Sequence, residues 1–255
     1  MNSMVRFFQV NCLAIAGLLG AAPALAHGPA CMDDPARAHE LRVLDEIQIT
    51  ELTERHQVVP APQRLHQMLT SLVAASGRLQ QGPAVHLLAY EDKDLNAYAA
   101  DHGMVILTSA MWSAKEDLSD DELAAVMAHE LAHIEQRDSL VEACANLQRL
   151  GQPALRIEEA RERMAMASFN PHSALTRAAH QLLHEQEHAA DRRAIELLHR
   201  VGRNPHAMVS VLAKIHGTTP SALNLLMGST HPELRERLAK AQAAVDAVGK
   251  RRIDD

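Results

Sequence analysis

Two five-residue segments of this chain have the pattern His-Glu-x-x-His, which is typical of zinc-dependent hydrolases. The first is HELAH at residues 129–133, and the second is HEQEH at residues 184–188, which also fits the reversed pattern His-x-x-Glu-His. Two histidines four residues apart on a helix lie on the same side, about one turn apart, so both imidazoles can bind one metal ion. A chain of 255 residues hardly needs two such sites, so the residues around each motif must distinguish them.

The first motif lies in a segment with the pattern of a buried, capped helix. The run ELAAVMAHELAHI is mostly apolar at helical spacing, and Ser119 with Glu122 has the pattern of a capping box. His129 and His133 can then hold a zinc ion, with Glu130 next to the first ligand. Zinc lowers the pKa of its bound water toward neutrality, and a glutamate at this place takes the proton as the water attacks a carbonyl.

The third ligand of such a site must come from elsewhere in the chain, because a catalytic zinc has three protein ligands and an open fourth position. The segment EHAAD at residues 187–191 places Glu187 and Asp191 on one side of a helix, with His180 on the same stripe. We interpret Glu187 as the third ligand and Asp191 as the hydrogen-bond acceptor that fixes the tautomer of a ligand histidine. In this interpretation HEQEH overlaps the third-ligand segment by coincidence.

The rival interpretation takes HEQEH as a separate zinc site with Glu185 as its base. The spacing permits this site, but no third-ligand segment follows it, and its flanks HQLL and AADRR are more polar than those of HELAH. If HEQEH is not a site, His184 and His188 form a solvated or cleft-lining pair beside Glu187.

Four segments, in order along the chain, resemble the M48 family of zinc metallopeptidases. They are LNAYAADHGMVILTSAM, DDELAAVMAHELAHI, the E-x-x-A-D segment running into RRAIELLHR, and STHPELRERL, and together they cover most of residues 85–240. The family takes two zinc ligands from its HExxH helix and the third from the glutamate of E-x-x-A-D. The resemblance therefore implies one zinc ion per chain, held by His129, His133 and Glu187, and a gluzincin-like fold that acts on polypeptides.

The resemblance also assigns two residues near the end of the chain. His231, in STHP, either stabilises the oxyanion of the tetrahedral intermediate, or occupies the fourth zinc position in a latent enzyme, or only begins a helix before Pro232. Arg237 matches the arginine that follows T-H-P in the family. We assign Arg237 to substrate binding or to an ion pair, which is either in the active site or structural.

A candidate substrate-binding strand precedes the first motif. Asn96, Ala97 and the run from Gly103 to residue 107 are predicted to form an edge strand beside the cleft, where an extended peptide adds as a further strand. The alternative is an ordinary core hairpin. The resemblance favours the role in substrate binding.

The elements that must position these residues are mainly helices. Three short, mostly apolar runs form the strand region, at residues 84–90, 95–100 and 103–109, with DHG at 101–103 as a hairpin turn. From Trp112 onward the pattern is helical almost to the end of the chain, beginning with the capped HELAH segment. Further helices are predicted at Pro35–His56, Gln63–Leu79, 153–168, 173–201, 205–216 and 232–247.

Composition narrows the class of protein. Aromatic residues make up 2% of the chain and apolar residues 47%, mostly Ala, Leu, Val and Met, which favours helices over a β-sandwich. The net charge of −7 disfavours nucleic acid or an anionic membrane as a partner. No segment after the leader approaches 18 uninterrupted apolar residues, so we expect no membrane span.

The first 26 residues have the pattern of a secretory signal peptide. An Arg-containing start is followed by CLAIAGLLGAAPALA, with cleavage predicted after Ala26. A membrane anchor is disfavoured because the apolar stretch is short, and a lipoprotein because neither Cys12 nor Cys31 has an apolar residue three positions before it. Cys31 and Cys144 remain after cleavage and can pair in an oxidising compartment, and the sequence leaves this pairing open.

These patterns together predict a signal peptide at residues 1–26 and one mostly helical α+β domain at residues 27–255, with a small sheet at the rim of the cleft. We predict a periplasmic zinc endopeptidase, and the resemblance implies misfolded or mislocalised envelope proteins as substrates. One alternative is a zinc-binding, chaperone-like protein without catalysis, which would not need Glu130. Another is a metal buffer, in which the 16 histidines provide several weak sites. The sequence does not predict the oligomeric state.

Overall fold

The computed structural model describes residues 29–113, 118–170, 172–218 and 234–251. Residues 1–26, predicted as the signal peptide, lie outside these ranges. The described residues form mostly helices and one small sheet, so the predicted α+β class is confirmed. No helix within them combines the length and apolar character that crossing a bilayer requires. The helices are α1 (Pro29–Met32), α2 (Pro35–Arg55), α3 (Gln63–Ala75), α4 (Asp120–Gln136), α5 (Asp138–Arg149), α6 (Ile157–Ala167), α7 (Ala174–Arg200), α8 (His206–Thr218) and α9 (Leu234–Arg251).

The sheet has three strands, β1 (His86–Tyr90), β2 (Ala97–Ala100) and β3 (Met104–Thr108), in the order β1-β3-β2. β1 runs parallel to β3, and β2 runs antiparallel to it, joined by the predicted turn. Because β3 is the central strand, the prediction that the run from Gly103 to residue 107 forms an edge strand is wrong. Among the described residues, β1 and β2 are the two edge strands. The outer side of β1 is bridged by Val58 at Tyr90, whereas no described segment pairs with the outer side of β2, which lies beside α4.

The turn between β2 and β3 accounts for Gly103, which the sequence analysis had placed in the substrate-binding strand. Gly103 has a φ of 104°, and a Cβ atom there would lie 2.3 Å from the carbonyl oxygen of Ala84. Its own carbonyl accepts a hydrogen bond from the backbone N–H of His86 at 2.8 Å. Only glycine combines this backbone angle with so close an approach, so the turn itself requires this residue.

Helix α4 lies at the centre of the main core. Leu123, Met127 and Leu131 are at most 1% exposed and pack with residues of α3, β3 and α7–α9. The predicted capping box at its start is confirmed, since Ser119 and Glu122 exchange side-chain and backbone hydrogen bonds. Burying each large side chain of this kind contributes about 1.5–3 kcal/mol. The helix that carries HELAH is therefore held rigidly in the core.

A sharp elbow separates α4 from α5, a helix that the sequence analysis did not distinguish. Arg137 is in the left-handed conformation, with φ 56° and ψ 44°, and α5 begins at the next residue. The apolar face of α5 packs in a second cluster with Leu41 of α2 and Ile157 of α6. A disulfide joins Cys144 of α5 to Cys31 of α1, the pairing that the sequence left open.

Candidate metal centre

The three predicted ligand side chains meet between α4 and α7. The Nε2 atoms of His129 and His133 are 3.0 Å apart. Glu187 of α7 places Oε2 at 3.7 Å from His129 Nε2 and Oε1 at 3.6 Å from His133 Nε2. The ligand atoms of these three side chains lie close enough together to hold one metal ion. Within the described residues, this is the one such group of His, Cys, Asp or Glu side chains.

The donor set fits zinc. Two imidazole nitrogens and one carboxylate oxygen are a common ligand set of catalytic zinc sites. Ligands at about 2.0–2.1 Å from a tetrahedral ion lie roughly 3.3 Å from one another, close to the separations of 3.0, 3.6 and 3.7 Å between these donor atoms. The two imidazole rings meet at an interplanar angle of 84°, so their Nε2 atoms approach from different directions.

Two aspartates orient the two imidazoles. Asp191 Oδ1 lies 2.9 Å from His129 Nδ1, and Asp138 Oδ2 lies 2.7 Å from His133 Nδ1. A carboxylate at Nδ1 places the proton there, which leaves the lone pair of Nε2 for a metal. With a proton on each Nδ1 and none on Nε2, both Nε2 lone pairs could serve a metal ion at the shared point.

The carboxylates around His133 favour its charged form while no metal is bound. Burial of this imidazole opposes the charge, but the hydrogen bond that it donates to Asp138 and the nearby carboxylates of Glu187 and Glu130 outweigh burial and raise the pKa of His133 to about 9. A metal ion must displace that proton to bind, so the affinity of this site for metal falls as the pH falls.

Arg237 of α9 ties the carboxylates of α7 together. Its Nε and Nη2 donate to the two oxygens of Asp191 at 2.6 and 2.8 Å, and its Nη1 lies 2.7 Å from Glu187 Oε2. Its Nη2 also lies 3.4 Å from His129 Nε2. Although burial favours a protonated Asp191, its contacts with Arg237 and His129 hold the pKa of this carboxyl below its usual value. Asp191 therefore stays charged beside His129.

Glu130 is buried next to the three donor groups. Its residue is 7% exposed. Burial raises the pKa of this carboxyl, and the neighbouring imidazoles of His129 and His133 oppose the rise. A carboxylate whose pKa is raised toward neutrality can both accept and release a proton at working pH.

The chain is similar to known proteins over most of its length. The sequence profile of peptidase family M48 matches residues 61–245 of the chain. The chain belongs to peptidase family M48. Over 172 residues it is 31% identical to the beta-barrel assembly-enhancing protease of Escherichia coli strain K12, an alignment that covers 62% of this chain and 34% of that protein. The chain thus matches about a third of the length of that M48 relative.

Two further relatives extend the comparison. The metalloprotease LoiP of Escherichia coli strain K12 is 25% identical over 219 residues, which cover 82% of each protein. The crystal structure of Ste24p from S. mikatae superposes with a TM-score of 0.52, at 14% identity, over 80% of this chain and 55% of that one. At this identity, the likeness to Ste24p concerns the fold alone.

The second motif of this M48 chain lies beside the site without forming a comparable group. Glu185 is exposed and accepts a hydrogen bond from Gln181 Nε2 at 2.9 Å. His188 Nε2 lies 3.4 Å from Glu236 Oε1, and His184 is half-buried. No third ligand joins His184 and His188 among the described residues, so the geometry favours HELAH as the zinc motif.

The remaining predicted residues are less central to the site. His231 lies outside the described residues. Asn96 is exposed just before β2, and its backbone bonds to Thr108 of the central strand. Ala97 begins β2 itself, whose outer edge is open within the described residues. Arg237, predicted for an ion pair or for substrate binding, is 5% exposed and makes the ion pairs with Asp191 and Glu187.

Sequence reasoning missed two residues that support the M48 site. Asp138 follows His133 by five positions, which on a straight helix turns it about 140° away from that histidine. The left-handed elbow at Arg137 brings Asp138 back to His133. Gln186, in the middle of HEQEH, donates from Nε2 to the carbonyl oxygen of Asp138 at 2.9 Å. The sequence offered one signal for Asp138, an aspartate at the end of the predicted HELAH helix.

Proposed function

We propose that this chain is a zinc-dependent endopeptidase that holds one zinc ion with His129, His133 and Glu187. The observation that carries the proposal is the convergence of these three donors, within 4.8 Å of one another, beside the buried Glu130. Membership of family M48 supports it. When bound there by His129, His133 and Glu187, a zinc ion would supply Lewis acidity for a substrate carbonyl and for a water molecule near neutral pH.

In this proposal Glu130 moves the proton. Its carboxylate takes the proton of the attacking water and later delivers it to the nitrogen of the cleaved amide bond. The raised pKa that burial gives this group suits both steps. Asp191 keeps the imidazole of His129 in the tautomer that binds metal. For His231 we retain the two active-site roles predicted from the sequence, stabilisation of the oxyanion or occupation of the fourth zinc position.

We further propose that the substrate binds as an extended strand along β2. The backbone of Asn96 bonds to Thr108 on the β3 side, and donors alternate along an antiparallel strand. Ala97 and Ala99 therefore direct their N–H and C=O groups toward the open edge. Adding a strand requires an unfolded stretch of substrate, which favours misfolded or unassembled polypeptides over compact folded ones.

The compartment that fits this substrate class is the cell envelope. The leader-like residues 1–26 and the disulfide between Cys31 and Cys144 both support export to an oxidising compartment, which we take to be the periplasm. The relatives include a protease named for enhancing β-barrel assembly. We therefore propose misfolded or mislocalised envelope proteins as the substrates.

Hydrolysis of an unfolded test protein tests the activity. Purified protein should cleave reduced, alkylated α-lactalbumin, lose this activity to a chelator and regain it with zinc. Glu130→Gln should lower kcat by about 10³-fold while zinc stays bound, since general acid–base catalysis contributes 10²–10⁴-fold. Glu185→Gln, the matching change in the second motif, is the control and should keep wild-type activity. A Glu130→Gln protein with undiminished activity would exclude this mechanism.

Zinc stoichiometry tests the ligand set separately. We expect one zinc per chain, lost in Glu187→Ala and kept in the double variant His184→Ala/His188→Ala. Zinc that survives the first change and falls in the second would instead assign the site to HEQEH. Several weakly bound ions spread over the histidines would favour the metal-buffer alternative, and tight zinc without hydrolysis the chaperone-like one.

A further inference from the structure

The zinc-site histidine His133 depends on the first turn of α5. The elbow at Arg137 turns the chain so that Asp138, the first residue of α5, places its Oδ2 2.7 Å from His133 Nδ1. This turn requires a left-handed backbone conformation at Arg137. Residues with a side chain rarely adopt this conformation, which costs roughly 1–2 kcal/mol. Such a contact lasts only if other groups hold the start of α5 in place.

One of those groups is the carboxylate of Asp101, from the turn that follows β2. Its Oδ2 accepts the backbone N–H of Leu140 at 2.9 Å, and its Oδ1 lies 3.4 Å from the backbone nitrogen of Ser139. Both N–H groups belong to the first turn of α5, which has no partners within the helix, and a negative charge there also favours the helix dipole. Asp101 thus caps α5 from a distant part of the chain, where Arg137 has no capping side chain.

Gln186 of α7 holds the same turn from another direction. Its Nε2 donates to the carbonyl oxygen of Asp138, and the residue is 9% exposed. The start of α5 is therefore held by two side chains, the half-buried Asp101 from the turn after β2 and the buried Gln186 from the helix that carries Glu187. The contact from Gln186 reaches the backbone of Asp138 alone, whereas Asp101 sets the position of the whole first turn.

We propose that Asp101 is a positioning residue for the metal site, acting through the N-terminus of α5 and Asp138 on the orientation of His133. This inference rests on the proposed function, in which His133 is a zinc ligand. Since Asp101 directly follows β2, it also connects the strand proposed to bind substrate with the zinc ligand. Movement of that strand would shift the first turn of α5 and with it the contact between Asp138 and His133.

The test is zinc affinity, measured by competition with a chromophoric chelator, together with the visible absorption spectrum of the cobalt-substituted protein. Asp101→Asn replaces one acceptor oxygen by an amide that faces backbone donors. We expect it to weaken zinc about tenfold and to shift the cobalt bands, as loss of a group that orients a ligand does. Asp138→Asn should do the same, and the double variant should lose no more than Asp138→Asn alone, because both act along one path.

Ser173→Ala is the matched control for a merely structural effect, because it also removes a side chain that caps a helix. Ser173 is 6% exposed, and its Oγ accepts the backbone N–H of Thr176 at 3.0 Å at the start of α7. This change should lower the melting temperature while zinc affinity and cobalt spectrum stay as in wild type. If Asp101→Asn does not fold, Asp101→Ser keeps one neutral acceptor for the N–H of Leu140 and should show an intermediate loss of affinity.

Three results would overturn the inference. They are wild-type zinc affinity in the Asp101 variants, an equal loss of affinity in Ser173→Ala, or additive losses of about a hundredfold in the double variant. None of these readouts depends on hydrolysis. A wild-type protein that binds zinc through His133 but cleaves no polypeptide would refute the proposed function and leave the role of Asp101 intact.

Discussion

Arg237 allows Asp191 and Glu187, two neighbouring carboxylates of α7, to stay charged although both are largely shielded from solvent. Its guanidinium binds both oxygens of Asp191 and one oxygen of Glu187 while only 5% of the residue is exposed. Without it, the two carboxylates would repel each other, and burial would drive Asp191 toward its protonated form. A protonated Asp191 would no longer hold His129 in the tautomer that binds metal.

Arg237→Met should therefore destabilise the zinc-free protein strongly. Breaking a buried ion pair by removing one partner costs about 3–5 kcal/mol, and we expect that loss in urea unfolding at pH 7.5. Asp191 has a lowered pKa in the folded protein, so its contribution to stability is present above its ordinary pKa and is lost as the pH falls through the folded value. The difference between wild type and variant should accordingly shrink below about pH 4.

Arg237→Lys is the control for charge without the planar fork, and it should lose less stability than Arg237→Met. An Arg237→Met variant whose free energy of unfolding lies within 1 kcal/mol of the wild-type value, at any pH between 5 and 8, would contradict this account.

The residues of the site differ in how far sequence predicted them. His129, His133, Glu187 and Asp191 follow helical spacing, because each pair lies four positions apart on one straight helix. Asp138 could not be placed in this way, since its contact with His133 depends on the backbone angle of one intervening residue. Arg237 was assigned to the site by family resemblance, because its contacts join residues 46 positions apart.

At the level of secondary structure, most helix starts were predictable, whereas the helix predicted to reach Leu79 ends at Ala75 and the arrangement of strands was not foreseen. Capping residues and apolar spacing indicate where a helix such as α4 begins, and Ser119 and Glu122 confirm it. Sheet order depends on pairing between distant segments, so the parallel contact of β1 with β3 left no local signal. The start of α5 was missed because Arg137, rather than glycine or proline, makes the break.

The open edge of β2 gives the element-scale prediction. Ala99→Pro removes the N–H that we expect to face the substrate, and proline is tolerated on an edge strand when its N–H side faces solvent. KM for an unfolded polypeptide should rise about tenfold, as loss of roughly one hydrogen bond implies, with zinc content and melting temperature nearly unchanged. Steady-state kinetics with a fluorogenic peptide would measure this rise.

Ala99→Val is the matched control, because it keeps the N–H and suits a strand. A proline variant with wild-type KM would show that the substrate does not pair with this edge. An equal rise of KM in both variants would instead point to steric crowding at the strand.

Over the whole molecule, the two largest apolar clusters of the described residues are the core around α4 and a smaller one among α1, α2, α5 and α6. The metal centre lies where they meet, since His133 is on α4 while Asp138 begins α5. The amino-acid composition predicted a mostly helical protein. The second cluster was not foreseen, because it depends on where the elbow directs α5.

The disulfide between Cys31 and Cys144 fastens that smaller cluster across 113 positions of sequence. In the chain-entropy account, closing so long a loop stabilises the folded state by about 5 kcal/mol at most, and measured values are typically 2–4 kcal/mol. We expect the double variant Cys31→Ser/Cys144→Ser to lose about 3 kcal/mol in urea unfolding and to become insensitive to reductant. Zinc affinity should change little, because Asp101 and Gln186 hold the start of α5 independently of Cys144.

The same bond tests the proposed compartment in the cell. Protein expressed with residues 1–26 should be exported, lose its leader and carry no free thiol, whereas protein expressed without them should stay reduced and unfold at lower urea concentration. Mass spectrometry after alkylation measures both the leader and the thiols. Free thiols in the exported form would refute an oxidising destination. A reductant that destabilises the double serine variant as much as wild type would show that the disulfide does not account for the difference.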